Sequence, residues 1–141
     1  MNIRPFKRED QEQLSQLYSE EWKTEINEEI LNNFLSNDNF LFVIEHENKI
    51  IASANLHIQY KLIHYGGIMG YVEDVIVSNE YRGLGIGKKI VLKLIEEAKN
   101  KKCYKLALLC DKGLEKFYLD SNMQVREKVA MEKVFKENFT Y

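Results

Sequence analysis

The run Tyr71-Val72-Glu73-Asp74-Val75-Ile76-Val77, joined by a short link to Arg82-Gly83-Leu84-Gly85-Ile86-Gly87-Lys88, decides how this chain folds. The first stretch is rich in strand formers and carries two adjacent acids. The second is a glycine-rich turn opening a helix, because Ile86, Ile90, Val91, Leu94, Ile95 and Ala98 recur at three- and four-residue spacing while Lys88, Lys89, Lys93, Glu96 and Glu97 fill the other face. The spacing predicts an amphipathic helix over 86–100. Gly83, Gly85 and Gly87 then fall before and inside its first turn, where backbone N–H groups lack helical partners and the macrodipole is positive. Glycine removes the Cβ atoms that would hold an anion away, and Arg82 and Lys88 add positive charge on either side. A diphosphate is the expected occupant. The plainer alternative is a glycine turn kept for steric reasons alone.

Two other phosphate motifs are excluded. A Walker loop needs four residues between its first glycine and Gly-Lys-Ser/Thr, and Lys88 is followed by Lys89. The dinucleotide fingerprint needs a two-residue second gap, which these glycines lack.

Outward from this stretch, Ile3 to Phe6 reads as a first strand with Pro5 near its end. Leu14, Leu17 and Tyr18, then Ile26, Ile30, Leu31, Phe34 and Leu35, mark two amphipathic helices. Phe40 to Glu45 and Ile50 to Tyr60 read as strands around a turn at Glu47-Asn48-Lys49, and a long strand runs near Met69 to Ser78. Tyr104 to Leu109 is a further strand, followed by a helix with Asp111 as its N-cap. Val125 to Phe135 supplies the final hairpin-like strands. The alternation of Val129, Met131, Lys133 and Phe135 leaves a strand able to pair with another chain.

A length of 141 residues, 45% hydrophobic and 30% charged, suits one domain over 1–141 with a real core. Twenty basic against 22 acidic side chains give a formal charge of −2, so no global field favours nucleic acid or an anionic membrane. The charged start, Met1 to Asp10, lacks a secretory apolar core, and Phe40 to Ile44 is too short to span a bilayer. A soluble, cytoplasmic protein is expected. Cys103 and Cys110 lie about 20 Å apart along an extended chain and cannot pair with each other. Both read as buried or half-buried thiols. No cysteine or histidine spacing suggests a metal, and His46 and His57 read as structural or surface residues.

Glu73 and Asp74 are the candidate chemistry. On a regular strand they point to opposite faces unless a bulge intervenes, and their neighbours are apolar on both faces. Buried carboxylates need partners or stay neutral, and a raised pKa suits a base for an ammonium group. A structural acid satisfied by lysine or backbone amides is the alternative. Tyr118, beside Phe117 and four residues after Leu114, is compatible with simple core packing.

These residues carry a resemblance. Arg82-Gly83-Leu84-Gly85-Ile86-Gly87 resembles the R/Q-x-x-G-x-G/A loop of GCN5-related N-acetyltransferases, the GNAT superfamily. Lys61-Leu62-Ile63-His64, Gly70-Tyr71-Val72-Glu73-Asp74-Val75, Tyr81-Arg82-Gly83, Cys103-Tyr104-Lys105 and Phe117-Tyr118 are similar to successive landmarks of its glucosamine 6-phosphate N-acetyltransferases. The resemblance implies a mixed α/β fold, element order β-α-α-β-β-β-α-β-α-β-β, whose mostly antiparallel sheet splits around acetyl-CoA. It implies that residues 82–88 hold the diphosphate, that Val75, Ile76 and Val77 offer backbone hydrogen bonds to pantetheine, and that Glu73 is the base, Asp74 orients the acceptor and Tyr118 protonates the leaving thiolate. It places Lys61, His64, Tyr104 and Lys105 at the sugar phosphate, and it implies a homodimer. An acceptor that is a polyamine, amino acid or peptide amine, or a non-catalytic acyl-CoA sensor, are the alternatives. This chain departs from the pattern at Leu109, where the family has an acid, at Leu114, where it often has asparagine, and at Asn122-Met123, where it has Gly-Phe.

Overall fold

A computed structural model describes residues 1–135 of the chain. Strand β1 (Asn2–Pro5) leads through helices α1 (Gln11–Ser19) and α2 (Glu28–Leu35) to strands β2 (Asn39–His46) and β3 (Lys49–Tyr60). A single turn, α3 (Ile63–Gly66), precedes β4 (Ile68–Val77), and α4 (Ile86–Asn100), β5 (Cys103–Ala107) and α5 (Glu115–Leu119) follow. The strands form one sheet in the order β1-β2-β3-β4-β5, with only the β4–β5 pair parallel. That pair is parallel because α4 carries the chain back across one face, the crossover that parallel neighbours require.

Alternation along β3 sorts the two layers. Ala52, Ala54, Leu56 and Ile58 face α4 and pack with Val72, Ile86, Ile90 and Leu94. On the other face Leu41, Val43 and Ile76 meet Leu14 and Leu17 of α1, with Tyr18, Trp22 and Phe34 at the margin. The β2–β3 hairpin closes through Glu47 and Asn48, both at positive φ (49° and 62°), as a two-residue turn of primed type demands. At the other end Arg4 grips Asp10 in a two-pronged ion pair (2.7 and 2.8 Å) that ties β1 to the entry of α1.

Helix α4 runs over Ile86–Asn100 as its spacing predicts. Three expectations are corrected. Residues 125–135 form no strand: alternation gives a segment a face, but a strand also needs backbone pairing with a neighbour, and these residues make no ladder with the sheet. Asp111 does not cap a helix side-chain to backbone; α5 begins at Glu115 with Leu114 in the capping place, and Asp111 instead closes a turn through its carbonyl, which accepts from the Leu114 N–H (3.1 Å). Cys103 is half-buried, but β5 ends at Ala107, so Cys110 lies beyond the strand and is exposed.

Candidate active site

The site starts from a miscount in the β3–β4 ladder. Asn55 pairs with Glu73 and Ser53 with Ile76, so Ala54 alone faces both Asp74 and Val75. The extra residue is a bulge, and Asp74 takes the left-handed conformation (φ 53°) that such a bulge requires and that aspartate tolerates better than most side chains. The bend separates β4 from β5. Their pairing covers Ile68–Tyr71 against Cys103–Ala107 and stops there, leaving the outer edge of residues 72–77 open.

A cleft of about 510 Å³ fills the split, lined by Tyr71, Val72, Glu73, Asp74, Ala107, Leu108, Leu109 and Arg126. Both acids are exposed in it, which corrects the expectation of buried carboxylates: the apolar neighbours pack away on either face, but the split opens the acids to solvent. Asp74 still lies within walls that displace much of its water, and this desolvation raises its carboxyl above the ordinary range. It faces Tyr18 of α1, whose phenol is pushed up to about 12, first by burial and then by the Asp74 charge. Tyr18 stands edge-on to Trp22 (5.2 Å between ring centres), so both aromatics close the α1 side of the bulge.

The glycine turn divides into two roles. Gly83 and Gly85 have positive φ (77° and 78°), and a Cβ at either would meet nothing within 4 Å: the space above them is open. Gly85 caps α4 without any side-chain hydrogen bond, so the first-turn amides stay free for an anion. Gly87 is different. It is buried, and a Cβ there would come within 3.1 Å of the Phe117 ring, so its missing side chain admits α5 rather than a ligand. Leu84 and Lys88 are exposed beside the turn, and Ile86 is buried in the core. Arg82 folds back: its guanidinium pairs with Glu21 (2.9 Å) and donates from Nε to the Val77 carbonyl (3.2 Å). The neighbouring Glu20 accepts from Ser78 Oγ and the Asn79 N–H, so the α1–α2 link braces the turn leading to the cradle.

Tyr118 is half-buried and lines a second cavity of about 620 Å³, with Lys105, Cys110 and Arg126 also in its wall. Burial, then the Cys110 thiol, holds its phenol above the ordinary value. Arg126 lines both cavities, a cation that alternation-based reading of the tail passed over. Its signal was a guanidinium beside Val125 in a segment expected to be a strand.

The remaining predicted residues gather elsewhere. His64 stacks at 4.8 Å on Tyr104, Lys105 lies 5.9 Å from the Tyr104 ring centre, and Lys61 closes the α3 loop through its N–H to the Gly67 carbonyl (2.9 Å). Gly67 makes the approach possible, since a Cβ there would fall 2.8 Å from Tyr104. Within one chain this cluster is not beside the acids. Lys105 is paired with Met69, and Glu73 lies four residues further along β4, roughly 13 Å away at strand rise. Among the described residues no cluster of three or more metal-ligating side chains occurs, and no helix is long and apolar enough to cross a membrane.

The geometry has counterparts. The acetyltransferase (GNAT) family model matches residues 6–120. The chain is 44% identical over 85 residues to a probable glucosamine 6-phosphate N-acetyltransferase of Drosophila melanogaster, covering 59% of this chain and 39% of that protein. It is 35% identical over 100 residues to the glucosamine 6-phosphate N-acetyltransferase of Arabidopsis thaliana, covering 70% of this chain and 66% of that one. The chain thus spans about half the length of the curated relatives it matches. The crystal structure of the Arabidopsis thaliana enzyme superposes with a TM-score of 0.86 at 29% identity over 96% of this chain and 98% of its own. With a bulged fourth strand, a split sheet and an open glycine turn at the head of α4, this chain belongs to the GNAT acetyltransferase family.

Proposed function

We propose that residues 1–141 form one N-acetyltransferase domain that moves an acetyl group from acetyl-CoA to the primary amine of an amino-sugar phosphate, with glucosamine 6-phosphate as the best acceptor. The observation that carries this reading is the bulge at Asp74, which puts Glu73 and Asp74 at the mouth of the split between β4 and β5. The likeness to glucosamine 6-phosphate N-acetyltransferases supports the acceptor. The residues present fit acetyl-CoA: Gly83 and Gly85 leave an open cradle, and the unpaired edge of Val75, Ile76 and Val77 suits strand-like hydrogen bonding to pantetheine. When bound, acetyl-CoA supplies the activated thioester.

In this scheme Glu73 accepts the ammonium proton, directly or through one water, and frees the amine lone pair. Asp74, its carboxyl raised by desolvation, orients the acceptor. Tyr118 is held neutral by burial and donates its proton to the departing sulfur. Arg126 is the one cation in the lining of the acid cleft among the described residues and offers a bidentate partner for a phosphate. Lys61, His64, Tyr104 and Lys105 remain proposed phosphate-side residues. The exposed Val129, Met131 and Phe135 of the tail support pairing with a second copy of the chain, and a cytoplasmic setting accompanies the reading.

Thiol release from acetyl-CoA over a panel of amino-sugar phosphates, polyamines, amino acids and peptide amines tests it. Turnover confined to polyamines or peptide amines would replace the acceptor. CoA binding with no turnover on any amine would point to a sensor instead.

A further inference from the structure

A row of hydrogen bonds on the face of the sheet toward α2 leads to a residue outside this scheme. Its anchor is the Phe34 carbonyl, which can only accept. Asn39 Nδ2 donates to it (2.8 Å), and this fixes Asn39 Oδ1 as an acceptor. Asn55 Nδ2 lies 2.8 Å from that oxygen and His57 Nδ1 3.1 Å from it, so both must be donors. Two consequences follow from the chemistry of the groups. Asn55 Oδ1, buried, is left with no donor. Neutral His57 is the Nδ1–H tautomer, with a bare lone pair on Nε2.

The ladder says where that lone pair points. His57 on β3 stands between Asn39 on β2 and Tyr71 on β4. With Nδ1 turned to Asn39, Nε2 is turned to the β4 side, where Tyr71 lines the acid cleft and Glu73 sits diagonally across from His57. Asn55, directly opposite Glu73, shares that face. His57 is half-buried, and among the described residues no donor reaches its Nε2.

We propose that His57 is a positioning residue for the acceptor: anchored by Asn39, it presents Nε2 beside Glu73 as a hydrogen-bond acceptor for a hydroxyl adjacent to the reacting amine. Carboxylate, imidazole nitrogen and amide oxygen together make a face rich in acceptors. Its complement is a donor-rich group, an ammonium carrying a neighbouring hydroxyl, as in a 2-amino sugar. This rests on the acceptor reading above.

The test uses two variants of the full chain. His57→Asn places an amide nitrogen near the Nδ1 position and deletes Nε2, whereas His57→Gln places its amide near Nε2. With glucosamine 6-phosphate and its 3-deoxy analogue as acceptors, the wild type should favour the hydroxylated one by roughly 3- to 15-fold, the range of one lost hydrogen bond. His57→Asn should raise the acceptor KM by a similar factor and erase the preference, with kcat and the acetyl-CoA KM little changed, and His57→Gln should restore part of it. A variant that discriminates as the wild type does would overturn the proposal. Independently of turnover, nitrogen NMR of the imidazole in the uncomplexed protein should show the Nδ1–H tautomer, and an Nε2–H tautomer would equally overturn it. If no amine is acetylated, the function reading fails and the positioning role falls with it, whereas an Nε2–H tautomer in an active enzyme overturns the positioning role alone.

Discussion

Glu73 stands directly opposite Asn55 across the β3–β4 ladder, at the last regular pair before β4 gains its extra residue. That position gives the carboxylate a strand-held base and an open side. Because Glu73 is exposed, its replacement should not disturb folding. Glu73→Gln is expected to lower kcat by roughly 10² or more with stability changed by less than about 0.5 kcal/mol. Raising the pH should partly rescue it, because more of the amine arrives neutral. Full activity of the variant at neutral pH would remove Glu73 as the base.

Tyr118→Phe keeps the ring against its neighbours and removes only the proton donor. Turnover should fall by roughly 10² with the acetyl-CoA affinity retained. Since burial raises the phenol, the wild-type acid stays protonated as pH climbs past the ordinary tyrosine value of about 10. A pH–rate profile identical in wild type and variant would return Tyr118 to packing alone.

The two roles within the glycine turn predict different phenotypes. Gly85→Asp puts a carboxylate in open space over the helix amides and should weaken acetyl-CoA binding at least about tenfold in a folded protein. Gly87→Ala instead drives a methyl group toward Phe117 and should lower the melting temperature first. Calorimetric titration beside thermal melts separates them.

Asp10 is buried with Arg4, and that guanidinium, more than the Lys7 amide, holds its carboxyl below the ordinary range. A depressed folded value means that the pair stabilises the protein above the ordinary carboxylate pKa of about 3.9 and that this is lost as pH falls through the lower folded value. Asp10→Asn should cost about 3–5 kcal/mol at pH 7 and flatten that acid limb. Urea melts at pH 7 and pH 3 check both.

Much of this was legible from local pattern. Helix α4 showed in the spacing from Ile86 to Ala98, and the hairpin turn in Glu47-Asn48. The open turn at the head of α4 showed in Gly83 and Gly85. What local pattern does not carry is register. The bulge at Asp74 exists only relative to Ser53 and Asn55, twenty residues upstream, so the side and exposure of the acids were open until the strands paired. The same holds for His57, an unremarkable histidine until Asn39 across the ladder fixes its tautomer. The packing role of Gly87 is not legible locally because its partner, Phe117, lies thirty residues away in sequence. The tail reads as a strand because alternation reports a face and not whether the backbone pairs with a neighbour.

The central claim is that the cleft at Glu73 and Asp74 acetylates a phosphorylated amino sugar. Steady-state kinetics with glucosamine 6-phosphate and with glucosamine, at saturating acetyl-CoA, measure it most directly. The account predicts N-acetyl product from both, with kcat/KM at least about tenfold higher for the phosphate ester because cations such as Arg126 engage it. Equal values, or a preference for the unphosphorylated sugar, would contradict it.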